Sequence, residues 1–274
     1  MNAVVISELT ALDDLRELAD LFAGVWQRSG EPPIGSDVLR ALAHSGNYVS
    51  GARQDGRLVG GLVGWLGGRP PDHVHMHSHI LGVVPDRDTR GLGFALKQHQ
   101  RRWCLERGIR VMEWTTDPLI RRNAYFNLTK LGAQAHSYLI NFYGQMADGL
   151  NAGEESDRLL IVWELDSPAA ERAASGDSPQ PDVESLIDGG AAVRLRIGSS
   201  GEPVRAPGSD GRVLLCQVPE DIVAVRRSRP DQARSWRLAL REAMTTALDV
   251  GFAVSGATRS GWYVLERPEE SRGH

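Results

Sequence analysis

Val84-Pro85-Asp86-Arg87-Asp88-Thr89-Arg90-Gly91-Leu92-Gly93-Phe94-Ala95-Leu96 is the stretch whose reading decides the fold. The run ahead of it, Ile80-Leu81-Gly82-Val83-Val84, is apolar and strand-like. The run behind it, Phe94 to Glu106, has helical character and stops at Gly108. Strand, glycine-rich turn and helix therefore come one after another. The first N–H groups of a helix have no internal acceptor, and the helix dipole adds partial positive charge there. Together they make a seat for a phosphate or pyrophosphate. Gly91 and Gly93 lack a Cβ, so a ligand can approach the backbone closely.

Spacing decides between the known versions of such a turn. The dinucleotide pattern G-x-G-x-x-G/A needs a small residue where Leu96 stands, and the G-K-[ST] of a P-loop is absent. What is present is Arg90-x-x-Gly93-x-Ala95, after a strand ending in Val83-x-Pro85. This resembles the coenzyme A pyrophosphate loop of the GNAT superfamily of N-acyltransferases. The plain alternative is a tight turn before a helix. The resemblance implies that the backbone of Arg90, Gly91, Leu92, Gly93, Phe94 and Ala95 takes the pyrophosphate of acetyl-CoA or another acyl-CoA. It implies too that Leu81, Gly82 and Val83 hold the pantetheine arm by backbone hydrogen bonds, as an added strand would.

The composition is that of an ordinary globular protein. The chain has 274 residues, 41% hydrophobic and 24% charged, with a net charge of −4. That charge argues against a nucleic-acid partner. No apolar run reaches the roughly 20 residues that span a bilayer, and the first residues lack the pattern of a signal peptide. No membrane partner and a cytoplasmic location are expected. Cys104 and Cys216 are the only cysteines and lack metal-ligand spacing.

Read in order, the chain gives a strand at Ala3–Leu9, then a helix capped by Thr10 and Asp13 with Leu15, Leu18, Phe22 and Val25 on one face. A short helix from Ser36 to Gly46 comes next. Tyr48–Gln54, the turn Asp55-Gly56, and Leu58–Leu66 read as a hairpin. Gly60, Gly61 and Gly64 in its second strand point to close packing there. A long strand from His73 to Val84, the helix, a strand from Val111 to Thr116, a helix from Leu119 to Leu131 and strands at Ala133–Tyr143 and Leu159–Leu165 complete the series. This β-α-α-β-β-β-α-β-α-β-β order matches the GNAT order. The implied fold is α/β (α+β), a mixed central sheet flanked by helices, with the Gly82 and Val111 strands splayed around the cofactor. Residues 1–166 are expected to form the acyl-CoA-binding domain. Residues 167–182, rich in Ala, Ser, Pro and Asp, are expected to be a linker. Residues 183–274 are expected to form a small C-terminal α/β domain, with Trp236, Leu240, Met244 and Leu248 on one helix face.

His73, His75, His77 and His79 alternate along one strand, which puts them on one face. Same-face neighbours on a strand stand roughly 6–7 Å apart, too far for four histidines of one strand to share a metal ion, so no metal is expected. Acyl transfer to an amine benefits from a general base. In many GNAT relatives it is a carboxylate thirteen residues before the loop arginine, and here that position is His77, a residue type that titrates near neutrality. His79 is the next candidate. The family's tyrosine acid would fall at Leu128, counted back from Gly132, so the pattern fails there, with Tyr125 and Tyr143 as substitutes. Asn123 resembles the helix asparagine that contacts coenzyme A. Arg121, Arg122, Asn151, Ser156 and Arg158 are candidates for holding an acceptor carboxylate. The expected activity is transfer of an acetyl or succinyl group to the amine of a small molecule such as an amino acid, by a possible homodimer. The second reading is a non-catalytic acyl-CoA-binding sensor or scaffold.

Overall fold

A computed structural model describes residues 4–26, 32–69, 73–86, 89–144, 155–206 and 211–267. Packing gathers the chain into two units, Met1–Trp114 with Glu164–Asp166, and Thr115–Trp163 with Ser167–His274. The chain changes unit at Asp166/Ser167, where the composition shifts, and also at Trp114/Thr115 and Trp163/Glu164, each inside a strand, which composition does not show.

The first unit contains β1 (Val5–Glu8), α1 (Leu12–Val25), α2 (Ser36–His44), β2 (Tyr48–Gln54), β3 (Arg57–Arg69), β4 (His73–Val83), α3 (Leu92–Leu105) and β5 (Val111–Thr116), which passes into the second unit at Thr115. Strands β1 to β4 are antiparallel neighbours, and β5 joins β4 in parallel. Asp55 and Gly56 both have positive φ, 51° and 78°, as a tight turn between twisted strands requires. The expected cap of α1 is corrected: Ala11 is the N-cap, with no side-chain bond.

The glycines of β3 have a packing reason. A Cβ on Gly60 would stand 3.2 Å from Leu92 and 3.3 Å from Leu96, both on α3. A Cβ on Gly61 would stand 2.2 Å from Leu18 of α1. Successive residues of a strand face opposite ways, so the two helices close on the two faces of β3. Leu15, Leu18, Phe22, Val63 and Ile80 are buried in the core on the α1 face. Each such side chain contributes roughly 1.5–3 kcal/mol on burial.

Strand β4 is irregular in two places. Val63 pairs with Ile80 and Gly64 with Ser78, which leaves His79 as an extra residue, a bulge. Ser78 bonds into α3, and after the bulge Leu81 also points to α3, toward Gly93. The strand has thus exchanged its faces. The β4–β5 ladder consists of Met76 with Met112 and His77 with Glu113, and beyond that pair the two strands make no further registered pairs among the described residues.

The second unit contains α4 (Arg121–Ala124), a six-residue π-helical turn (Tyr125–Lys130), β6 (Gln134–Leu139), β7 (Arg158–Glu164), α5 (Pro168–Ala174), α6 (Val183–Asp188), β8 (Ala192–Ile197), β9 (Pro203–Arg205), β10 (Val213–Gln217), α7 (Ile222–Ser228), α8 (Pro230–Asp249), β11 (Ala253–Ala257) and β12 (Trp262–Glu266). Its strands run in the order β7-β6-β11-β12-β10-β8-β9, with β8 and β10 parallel and the other pairs antiparallel. Strand β11 lies against β6, pairing Val254 with Ala135. The Thr129 hydroxyl donates to the Ala257 carbonyl at 2.6 Å and accepts from its N–H at 3.1 Å. On α8, Trp236, Leu240 and Met244 are buried as expected, while Leu248 is only half-buried. Part of the expected linker is regular: Ser167 accepts a bond from the Ala170 N–H and starts α5, whose Ala170 and Ala173 are buried. Asp117 is buried, 2.6 Å from Arg226 and 3.5 Å from Arg237. Burial opposes its ionisation, but the two guanidiniums outweigh it and hold its pKa below the usual carboxylate range.

Candidate active site

The glycine-rich turn has the geometry of an anion seat. Gly91 is the N-cap of α3 in the left-handed region, φ 81°, where only glycine sits without strain. No side chain caps the helix. Thr89, buried, fixes the turn from within: its hydroxyl donates to the carbonyls of Val84 (2.8 Å) and Asp86 (2.9 Å) and accepts from the Asp86 N–H. Arg90, Gly91 and Ala95 are exposed, and Gly93 and Phe94 half-buried. Leu92 is buried against β3, so only its backbone faces the turn. Arg87 and Asp88 lie outside the described residues.

Beside this turn, Val83, Gly82 and Leu81 pair with Gly60, Gly61 and Leu62 of β3 on one edge. Their other edge lies beyond the end of the β4–β5 ladder. An extended chain carrying amides can add to such an edge. The arm of an acyl-CoA carries amides of that kind, and its pyrophosphate fits the uncapped N-terminus of α3. The residues present thus fit the group.

Next along β4 is an aromatic cluster. The Trp65 ring lies 4.9 Å from that of His77 and 4.5 Å from that of His79, and the two imidazoles are 5.7 Å apart. Burial, then the neighbouring His79, His75 and Lys97, push the pKa of His77 down to about 4. His77 is therefore a neutral imidazole at pH 7. His79 keeps much of its surface open, yet the surrounding protein still lowers its pKa. Glu113, the ladder partner of His77, has its carboxylate 3.6 Å from Nε2 of His75. On the α3 side, Lys97 is buried. Its ammonium donates to Ser78 Oγ at 2.9 Å and stands 3.5 Å from the centroid of Trp114. Burial lowers its pKa to about 7. Sequence patterns alone do not single out Trp65, Glu113, Lys97 or Thr89. Their roles come from register and helix phase, and no motif marks them. Among the described residues no group of three or more His, Cys, Asp or Glu is arranged to hold a metal ion.

Several expected residues belong to the second unit. Asn123 is exposed on α4. Arg121 donates to the Arg259 carbonyl, and Arg122 is exposed. Ser156 accepts from the Tyr143 N–H at 2.8 Å, and Arg158 is buried with its guanidinium over the Tyr143 ring. Both therefore build the β6–β7 connection. Asn151 lies outside the described residues. Leu128 is buried in the π-helical turn. Tyr125 lies under Arg259, and the Tyr143 hydroxyl is 3.0 Å from Thr115 Oγ1.

Residues 12–132 match the family model described as the Acetyltransferase (GNAT) family. This segment is a GNAT acetyltransferase domain. The match brings with it acyl-CoA-dependent N-acyltransferase chemistry, with an acyl-CoA as co-substrate. The GNAT segment holds the glycine-rich turn, the open edge of β4 and its histidine face. Solved structures similar to part of the chain include an N-acetyltransferase from Staphylococcus aureus Mu50 (13% identity, covering 60% of this chain and 99% of that one, TM-score 0.48). Others are the ribosomal-protein-S18-alanine N-acetyltransferase from Escherichia coli (16%, 60% and 96%, 0.47) and Arabidopsis thaliana Naa50 in complex with the bisubstrate analogue CoA-Ac-MVNAL (16%, 58% and 97%, 0.46). At these identities and scores no acceptor is carried across. No curated protein matches the sequence. No helix among the described residues is long and apolar enough to cross a membrane.

Proposed function

We propose that the protein moves an acetyl group from acetyl-CoA to the amine of a small molecule such as an amino acid, with His77 as proton acceptor. The observation that carries this is the open edge of β4 at Leu81–Val83, which leads from the uncapped N-terminus of α3 to the bulged His79 and then His77. In this reading the backbone from Arg90 to Ala95 holds the pyrophosphate, and Leu81 to Val83 hold the pantetheine arm. The amine nitrogen attacks the thioester carbonyl carbon, a C–N bond forms, the C–S bond breaks, and the coenzyme A thiolate leaves. The amine proton passes to a ring nitrogen of His77 and on to solvent by way of exposed His79. His77 is neutral above about pH 4, so its lone pair is available throughout the physiological range. Its low pKa makes it a weak base, and the acid limb it contributes to kcat/KM belongs near pH 4. A loss of rate between pH 8 and 6 then does not come from His77 itself.

The test compares His77→Ala with Glu113→Gln under saturating acetyl-CoA, with an amine panel and succinyl-CoA as second donor. His77→Ala should lower kcat by roughly 100- to 10,000-fold and leave coenzyme A affinity unchanged, since that affinity is backbone-mediated. A His77→Ala enzyme of normal kcat, with Glu113→Gln inactive, would move the base to the carboxylate.

A further inference from the structure

A cleft of about 430 Å³ lies wholly in the second unit and shares no residue with the acyl-CoA turn, the β4 edge or the histidine face. Its rim carries Arg194 of β8, Arg212 just ahead of β10 and Arg267 just after β12, and its wall is built by Leu214, Ala247 and Phe252. Among the described residues no carboxylate lines it. Asp249 and Glu266 stand on adjoining elements, exposed, and are not part of its lining. Four other arginines of the same unit are ion-paired: Arg226 and Arg237 with Asp117, Arg241 with Asp157 and Glu155, Arg205 with Glu242. Arg194, Arg212 and Arg267 make no ion pair with any described residue. The Arg267 guanidinium lies over the Phe252 ring, 5.0 Å from its centroid. A guanidinium stacked in this way keeps its edge N–H groups for a planar or tetrahedral anion.

We propose that this cleft binds an organic dianion with a flat apolar body, of the class of aryl phosphate monoesters. The three guanidiniums supply charge-assisted, fork-shaped donors for the phosphate. Leu214, Ala247 and the Phe252 edge supply the apolar wall, and the volume falls in the range of small-molecule sites, about 300–1,000 Å³. The site is independent of the acyl-CoA turn and of the chemistry assigned to it.

Calorimetric titration of the full chain tests this with phenyl phosphate, inorganic phosphate and phenol as separate probes. Phenyl phosphate should bind more tightly than inorganic phosphate, and phenol should not bind. Replacing two guanidiniums, Arg194→Gln with Arg267→Gln, should weaken phenyl phosphate about 100-fold, at roughly tenfold for each charged hydrogen-bond donor lost. Gly93→Asp, which fills the anion seat of the first unit, should leave that binding intact. If the double variant does not fold, Arg212→Gln at an exposed position gives the same readout at about tenfold. Affinity that survives the arginine changes, affinity that disappears with Gly93→Asp, or the absence of saturable binding would each overturn the site. Equal affinity for phosphate and phenyl phosphate would overturn the aryl class.

Discussion

A Cβ placed on Gly93 would meet only Leu81 Cδ2, at 3.5 Å, an ordinary contact. The fold itself therefore does not demand glycine there. Gly93→Asp should keep or slightly raise the melting temperature, because an acidic residue in the first turn suits the helix dipole. The same change should abolish coenzyme A binding in calorimetry, and a variant that still binds would remove the phosphate seat from this turn. Lys97 gives the opposite kind of test. Its folded pKa of about 7 lies below the ordinary 10.5, so between those values the unfolded chain holds more protons than the folded one. Stability attributable to Lys97 thus rises with pH across that window, and below it the native state carries the whole cost of a buried charge. Lys97→Met should raise the urea midpoint at pH 6.5 more than at pH 9.5. Equal gains at both values would mean that Ser78 and Trp114 already compensate the ammonium. His77 and His79 were legible because alternation along one strand is visible in sequence. Their company was not: Trp65 and Glu113 reach them through pairing registers, and the bulge at His79 leaves no mark in the spacing.

At the scale of elements, the strand-turn-helix around Gly91 was readable from residues 80–108, and so was the Asp55-Gly56 hairpin. What escaped was the pin inside the turn. Thr89 ties Val84 and Asp86 to the start of α3, and Thr89→Val should cost about 1–3 kcal/mol in chemical denaturation, for two or three modest hydrogen bonds. Coenzyme A affinity should fall with it, because the turn loses its fixed shape. Unchanged affinity would show that the glycines alone set the seat. The stretch Leu119–Leu131 reads as one helix, yet it is a short α-helix and then a π-helical turn that ends with Leu131 N–H on the Phe126 carbonyl at 3.0 Å. Hydrophobic spacing does not distinguish a bond to the fourth residue from one to the fifth. The opposite lesson comes from Ser167-Pro168-Ala169-Ala170-Glu171. Its composition suggests a linker, but serine as N-cap, proline at the first position and an acid in the first turn form a helix start.

At the scale of the whole molecule, the family match ends at residue 132, while the second unit's sheet runs on from β6 into β11 through Val254–Ala135 and the Thr129–Ala257 clasp. The expected boundary after residue 166 would cut that sheet open. Sequence composition sees where polarity rises but not which strand edges need a partner. A chain shortened to 1–166 should elute as aggregate or lose solubility, and light scattering on the eluate checks this. A monomeric, coenzyme A-binding fragment would restore the boundary read from composition. Strand β11 thus covers an edge of β6 that would otherwise offer its unpaired amides to any passing chain. Trimming this protein after residue 166, a routine step in preparing a domain for study, would strip that cover and leave a polypeptide that sticks to itself.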